Sequence, residues 1–146
     1  MDITIKTFDA LSNKELYSLL KLRSAVFVVE QECIYQDLDG KDDKALHVLG
    51  KIGDEVVAYL RLFRPGAYFE NAAIGRVVVA NAHRKKGFAK TLMQTAIHHL
   101  TDEMGVTKIE LSAQVYLKEF YNDLGFLEKG TSYLEDGIPH IKMVYA

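Results

Sequence analysis

Three cations, a glycine and a run of small residues stand where an apolar stretch gives way to a helical pattern. Arg84 to Met93 reads RKKGFAKTLM, directly after AIGRVVVANAH. A strand that ends in a short loop and enters a helix leaves the first helical N–H groups without internal acceptors. Those donors, with the helix dipole, suit an anion. Gly87 has no Cβ to hold a large anion off the backbone, Ala89 keeps the next turn open, and Arg84, Lys85 and Lys86 add positive charge. Charge-assisted hydrogen bonds contribute roughly 1.5–3 kcal/mol each, so a few of them hold a pyrophosphate-sized group firmly. There is no Gly-Lys-Ser/Thr for a nucleotide P-loop and no Gly-x-Gly-x-x-Gly after a strand. The same letters also describe a plain solvated helix start, and the local pattern leaves both readings open.

The elements that would position this stretch follow from periodicity. Ile3 and Ile5 alternate with polar residues and predict a strand near residues 2–8. Ser12 and Glu15 form a capping box, followed by Leu16, Leu19, Leu20, Val26 and Phe27 at helical spacing, with Arg23 interrupting the stripe. EQECIYQDLDGKDDKA has no period and reads as a loop. ALHVLGKI and EVVAYLRLF predict a hairpin turning at Gly53-Asp54, and AAIGRVVVA a central strand covered on both faces. Residues 87–104 read as a helix ended by Gly105, KIELSAQV as a strand, and YLKEFYNDL as a short helix stopped at Gly125. The last two strands turn at Asp136-Gly137. The order β-α-β-β-β-α-β-α-β-β predicts an α+β (mixed α/β) fold: one domain over residues 1–146, with a mixed sheet of six to seven strands, parallel at its centre.

Composition sets the outer limits. A chain of 146 residues, about half apolar and a quarter charged, suits one soluble core. A net charge of -2 argues against a nucleic-acid binder. The single cysteine, Cys33, fits a reducing compartment. The start lacks a signal-peptide layout and no apolar run reaches membrane-spanning length, so a cytoplasmic protein without a membrane partner is expected.

VVVANAHRKKGFAKTLM resembles the acyl-CoA-binding motif of the GNAT acetyltransferases, an apolar strand followed by Arg/Gln-x-x-Gly-x-Gly/Ala at a helix start. Arg84, Gly87 and Ala89 take the three signature positions. EFYNDLGF resembles the second motif of that family, and the order of elements agrees along nearly the whole chain. Asn81 departs from the proline often found there. LRSAVFVVEQECIYQDLDGKD and DGIPHIKM are similar to the ElaA-like branch of the family.

The resemblance implies the GNAT fold, with acetyl-CoA as co-substrate and direct acetyl transfer to an amine in a ternary complex. It implies that the pantetheine arm lies between two splayed central strands. The backbone of Val77, Val78 and Val79 would then pair with it, and the amides of Arg84, Lys85, Lys86, Gly87, Phe88, Ala89 and Lys90 would hold the pyrophosphate. Tyr121 falls where the family places its general acid, and Gln114 lies near the expected thioester. The family often uses a glutamate on the central strand as base, but Arg76 stands there in this chain. His140 is the candidate beside the acceptor site, with Glu30, Glu110 and His47 as alternatives. The acceptor, a small-molecule or protein amine, is left unnamed, and a homodimer is in keeping with such proteins. The rival class is a non-catalytic acyl-CoA-binding module.

Three other signals carry less. DLDGKDD lacks the glycine and glutamate spacing of an EF-hand and reads as a solvated acidic loop, or as one that attracts a cationic acceptor at the substrate mouth. Cys33 has no motif that would make it a nucleophile. His98 and His99 are adjacent on a helix and do not share a face, so no metal site is expected.

Overall fold

The computed structural model describes residues 1–146 and contains one seven-stranded sheet in the order β1-β2-β3-β4-β5-β7-β6. The strands are β1 (Asp2–Thr7), β2 (Leu46–Ile52), β3 (Glu55–Phe63), β4 (Ala72–Val79), β5 (Ile109–Gln114), β6 (Phe126–Glu135) and β7 (Ile138–Tyr145). The helices are α1 (Asn13–Arg23), α2 (Phe88–His98) and α3 (Lys118–Asp123). All strand pairs are antiparallel except β4–β5.

Both faces of the sheet are covered at its centre, which is why β3 and β4 read as nearly unbroken apolar runs. On one face α2 buries Leu92, Met93, Ala96 and the following Leu100 against Leu60, Leu62, Ile74 and Ile109. On the other, α1 buries Leu19 and Leu22 against Leu49, Val56, Tyr59 and Val78. The capping box forms in full: the Ser12 hydroxyl accepts from the Glu15 N–H at 3.1 Å, and the Glu15 carboxylate accepts from the Ser12 N–H at 2.9 Å. Helical turns continue past α1 through Glu30, in π geometry, and past α2 through Glu103.

Two local features shape the centre of the sheet. The parallel strands β4 and β5 pair only at Ala72–Ile109 and Ala73–Glu110, then diverge. One strand over, Arg61 faces Gly75 and Tyr59 faces Val78, so Arg76 and Val77 together oppose Leu60. This is a β-bulge in β4, with Arg76 in the left-handed region at φ 51°. A non-glycine residue there stores about 1–2 kcal/mol of backbone strain.

The stretch after α1 differs from a solvated acidic loop. Asp37, Asp39 and Asp42 turn inward onto Arg23, Arg61 and Arg76. Arg23 Nε donates to Asp37 at 2.8 Å and Nη1 to Asp42 at 2.7 Å, from a side chain with no exposed surface. Arg61 Nη1 donates to Asp39 and to Asp42, each at 2.9 Å. Arg76 Nε lies 2.8 Å from Asp37 Oδ1, an ion pair without hydrogen-bond alignment, and its Nη2 donates to the Asp37 carbonyl at 3.0 Å. Three arginines and three aspartates therefore neutralise one another beneath the α1 face. The Arg23 that breaks the apolar stripe is the anchor of this cluster.

Candidate active site

The divergence of β4 from β5 opens a cleft of about 560 Å³. At one end it is bounded by the turn that leads into α2. The backbone N–H groups from Lys85 to Lys90 have no backbone acceptor; the next, Thr91 N–H, donates to the Gly87 carbonyl at 3.1 Å. These free donors, the start of an eleven-residue helix and the nearby Lys85 and Lys90 make a cationic end. Gly87 precedes α2 at φ 75°, ψ 15°, with open space where a Cβ would stand. Its glycine is therefore required by conformation, not by crowding. Gly87→Ala should lose about 1–2 kcal/mol of stability in urea unfolding and weaken anion binding, whereas Gly87→Asn, which tolerates this region, should lose less.

Of the cations read from the sequence, Lys85 points to the cleft while the other two are engaged. The Arg84 guanidinium forms a two-bond pair with Glu30, at 2.5 and 2.9 Å, and donates to the Val79 carbonyl at 3.2 Å. Lys86 places its ammonium 3.4 Å from His83 Nδ1 and does not line the cleft. Phe88 lines it, with its ring stacked on His83. Val77, Val78 and Val79 form one wall, and beyond Ala73 the edge of β4 that faces β5 has no strand partner.

Tyr121 on α3 lines the cleft. Its ring packs edge-on against Phe120 and Phe126, with centroids 5.1 and 6.2 Å away, and only 6% of the residue is exposed. Burial pushes the phenol above its ordinary range, and Tyr116 adds to the effect. The hydroxyl makes no hydrogen bond within the protein and is not sealed from the cleft. A neutral proton donor thus stands unpaired in the wall of the cleft.

At the far end the cleft is bounded by the segment after α1 and by the β6–β7 hairpin. Gln114, opposite His140 in the β5–β7 ladder, donates from Nε2 to Gln31 Oε1 at 3.4 Å. Cys33 Sγ lies 3.5 Å from the Asp136 carbonyl at the hairpin tip. Buried His140 has Nδ1 2.7 Å from the Ile138 carbonyl and Nε2 3.3 Å from the Glu135 carboxylate. Of the alternative bases, Glu30 lines the cleft but is held by Arg84. Glu110 bonds to Asn71, and His47 is enclosed between the Tyr59 hydroxyl and the Asp42 carbonyl; neither lines the cleft. Burial pulls the His47 imidazole below its ordinary range.

The architecture and the cleft agree with what related proteins show. The sequence model described as an acetyltransferase (GNAT) domain matches residues 10–146. The chain belongs to the GNAT acetyltransferase family. Protein ElaA of Escherichia coli K12 is 45% identical over 139 residues, spanning 91% of this chain and 88% of that one. The solved structure of an acyl-CoA N-acyltransferase from Pseudomonas aeruginosa superposes with a TM-score of 0.94 at 41% identity, covering 100% of both chains. The crystal structure of Escherichia coli ElaA gives 0.92 at 39% identity, also with full coverage. This family member is thus an acyl-CoA-dependent N-acyltransferase, and its acceptor is an amine. No helix is long and apolar enough to cross a membrane.

Several lining residues escaped the sequence reading: Tyr35, Ser112, Glu135 and Asp136. Ser112 shares a short hydrogen bond with the Tyr133 hydroxyl, and Tyr35 donates to Asp37 at 2.9 Å. The Asp136-Gly137 turn and His140 were the signals that the hairpin would bring side chains to this end.

Proposed function

We propose that this enzyme transfers the acetyl group of acetyl-CoA directly to a small amine bound in the same cleft. The observation that carries this reading is the unpaired Tyr121 hydroxyl in a cleft that also holds the free amides at the start of α2 and the side chains of Gln114 and His140. The residues suit the donor: free amides from Lys85 to Lys90 meet phosphate oxygens, and the edge of Val77 to Val79, which no strand of the β5 side pairs, meets a narrow amide-bearing arm. Acetyl-CoA, when bound, supplies a thioester carbonyl for the amine to attack. Gln114 orients that end of the cleft, and Tyr121 protonates the departing sulfur. With His140 Nδ1 committed to the Ile138 carbonyl, Nε2 is the nitrogen that takes the amine proton, beside Glu135.

Direct transfer is favoured because no nucleophile in the cleft is activated. Cys33 faces a carbonyl oxygen, and Ser112 is bonded to Tyr133. A small acceptor is favoured because Gln31 meets Gln114, and Cys33 meets Asp136, across the acceptor end. Release of free CoA thiol should depend on added amine and be faster with small amines than with peptides presenting an amino terminus or lysine. Tight acetyl-CoA binding with no release against any amine would overturn the transfer reading in favour of a binding module.

A further inference from the structure

The strained residue of the β4 bulge and the inward-turned acidic segment meet at one pair, Arg76 and Asp37. Arg76 lines the cleft where β4 leaves β5, yet its guanidinium turns toward Asp37. It also lies 3.6 Å from Asp39 Oδ2 and over the Tyr35 ring, 5.7 Å from its centroid. Asp37 is itself fixed, by Arg23 Nε at 2.8 Å and by the Tyr35 hydroxyl at 2.9 Å. The charge of Arg76 is thus spent within the protein, on a carboxylate that Arg23 and Tyr35 also hold.

A bulge adds one residue to a strand and so inverts, from that point on, which side chains and which backbone groups face each side. The segment inverted here is Val77 to Val79, the free edge of the cleft. Without a tether, a side-chain-bearing residue prefers to leave the left-handed region, and β4 would return to an even strand with the wrong groups presented. We propose that Arg76 is a positioning residue: its ion pair with Asp37 holds the left-handed turn of the bulge and thereby sets the backbone edge of Val77 to Val79 that receives the acyl donor. This rests on reading the cleft as the acyl-donor site.

Glycine and alanine separate this role from the others. Arg76→Ala removes the tether and keeps the penalty for positive φ; Arg76→Gly removes the tether and the penalty together. Acetyl-CoA affinity by calorimetry, kcat with an accepted amine and amide hydrogen exchange over residues 76–79 are the readouts, taken on protein shown to be folded. Arg76→Ala should lower kcat about 100-fold, as a misplacement of roughly 1 Å does, with weaker acetyl-CoA binding and faster exchange. Arg76→Gly should recover most of both losses. Equal losses in the two variants would mean that the guanidinium acts on the substrate directly, and no loss in Arg76→Ala would mean that it positions nothing; either overturns the proposal. Failure of the wild type itself to bind acetyl-CoA overturns the donor-site reading, and the proposal with it. Binding without transfer to any amine would overturn only the transfer reading, with calorimetry and exchange still deciding the role of Arg76.

Discussion

Tyr121→Phe should lower kcat by about 100-fold or more, the contribution of a positioned general acid, while leaving acetyl-CoA affinity nearly unchanged. The reasoning is geometric. The ring is locked by Phe120 and Phe126, so removing one oxygen leaves the packing of the cleft in place. The hydroxyl has no partner in the protein, so nothing else in the fold depends on it. Burial raises the phenol's proton affinity, which keeps it a donor at neutral pH. The same apolar surroundings raise the basicity of a departing thiolate, so the proton is needed most where this side chain stands. A second readout isolates the role. Acyl donors whose thiols are stronger acids need less protonation on departure, so the loss in Tyr121→Phe should shrink with them. Unchanged kcat at every pH would remove Tyr121 from the chemistry. A loss that follows acetyl-CoA affinity would assign it to binding.

The parts of this site that could be read from the sequence are those built from consecutive residues. An anion held by backbone amides needs only a strand end, a glycine able to adopt positive φ and a helix start, all within Val77 to Lys90. Tyr121 was legible through the motif around it, since nothing in its own spacing separates it from seven other tyrosines in a chain that has eight. Beyond Gln114 and His140 the far end of the cleft was not legible, because its walls come from segments remote in the chain. Gln31 and Gln114 are 83 residues apart, and Cys33 and Asp136 are 103. The bulge was hidden for another reason: AAIGRVVV is apolar on both faces, so a one-residue shift leaves no mark on its pattern. DLDGKDD misled because its acidity suggested water, while its partners Arg23, Arg61 and Arg76 were out of sight of local pattern.

That cluster sets the largest expected effect on stability. Arg23→Met should cost about 3–5 kcal/mol in urea unfolding at neutral pH, because removing one member of a buried ion pair strands the others. Arg23 is fully buried, and its loss removes three donated hydrogen bonds, leaving Asp42 with Arg61 alone and Asp37 with Tyr35 and Arg76. The pH dependence separates lost charge pairing from lost packing. Burial alone would raise the Asp39 and Asp42 carboxyls, but hydrogen bonds and charge from Arg61, and from Arg23 at Asp42, outweigh it and hold both below the usual carboxylate range. Glu15 behaves alike at the other end of α1: burial opposes ionisation, yet Lys51, the Ser12 N–H and Lys6 bring it down to about 2 from 4.5. Groups whose folded values are depressed contribute stability that is full above the unfolded value, about 4, and is lost as pH falls through the folded value. The wild type should therefore weaken steadily below about pH 4. In Arg23→Met, Asp42 keeps one arginine instead of two and takes a proton more readily, so the difference between the two proteins should narrow over the same range. A difference that stays constant from pH 7 to pH 3 would assign the loss to packing around Tyr59, whose ring centroid lies 5.9 Å from the guanidinium carbon.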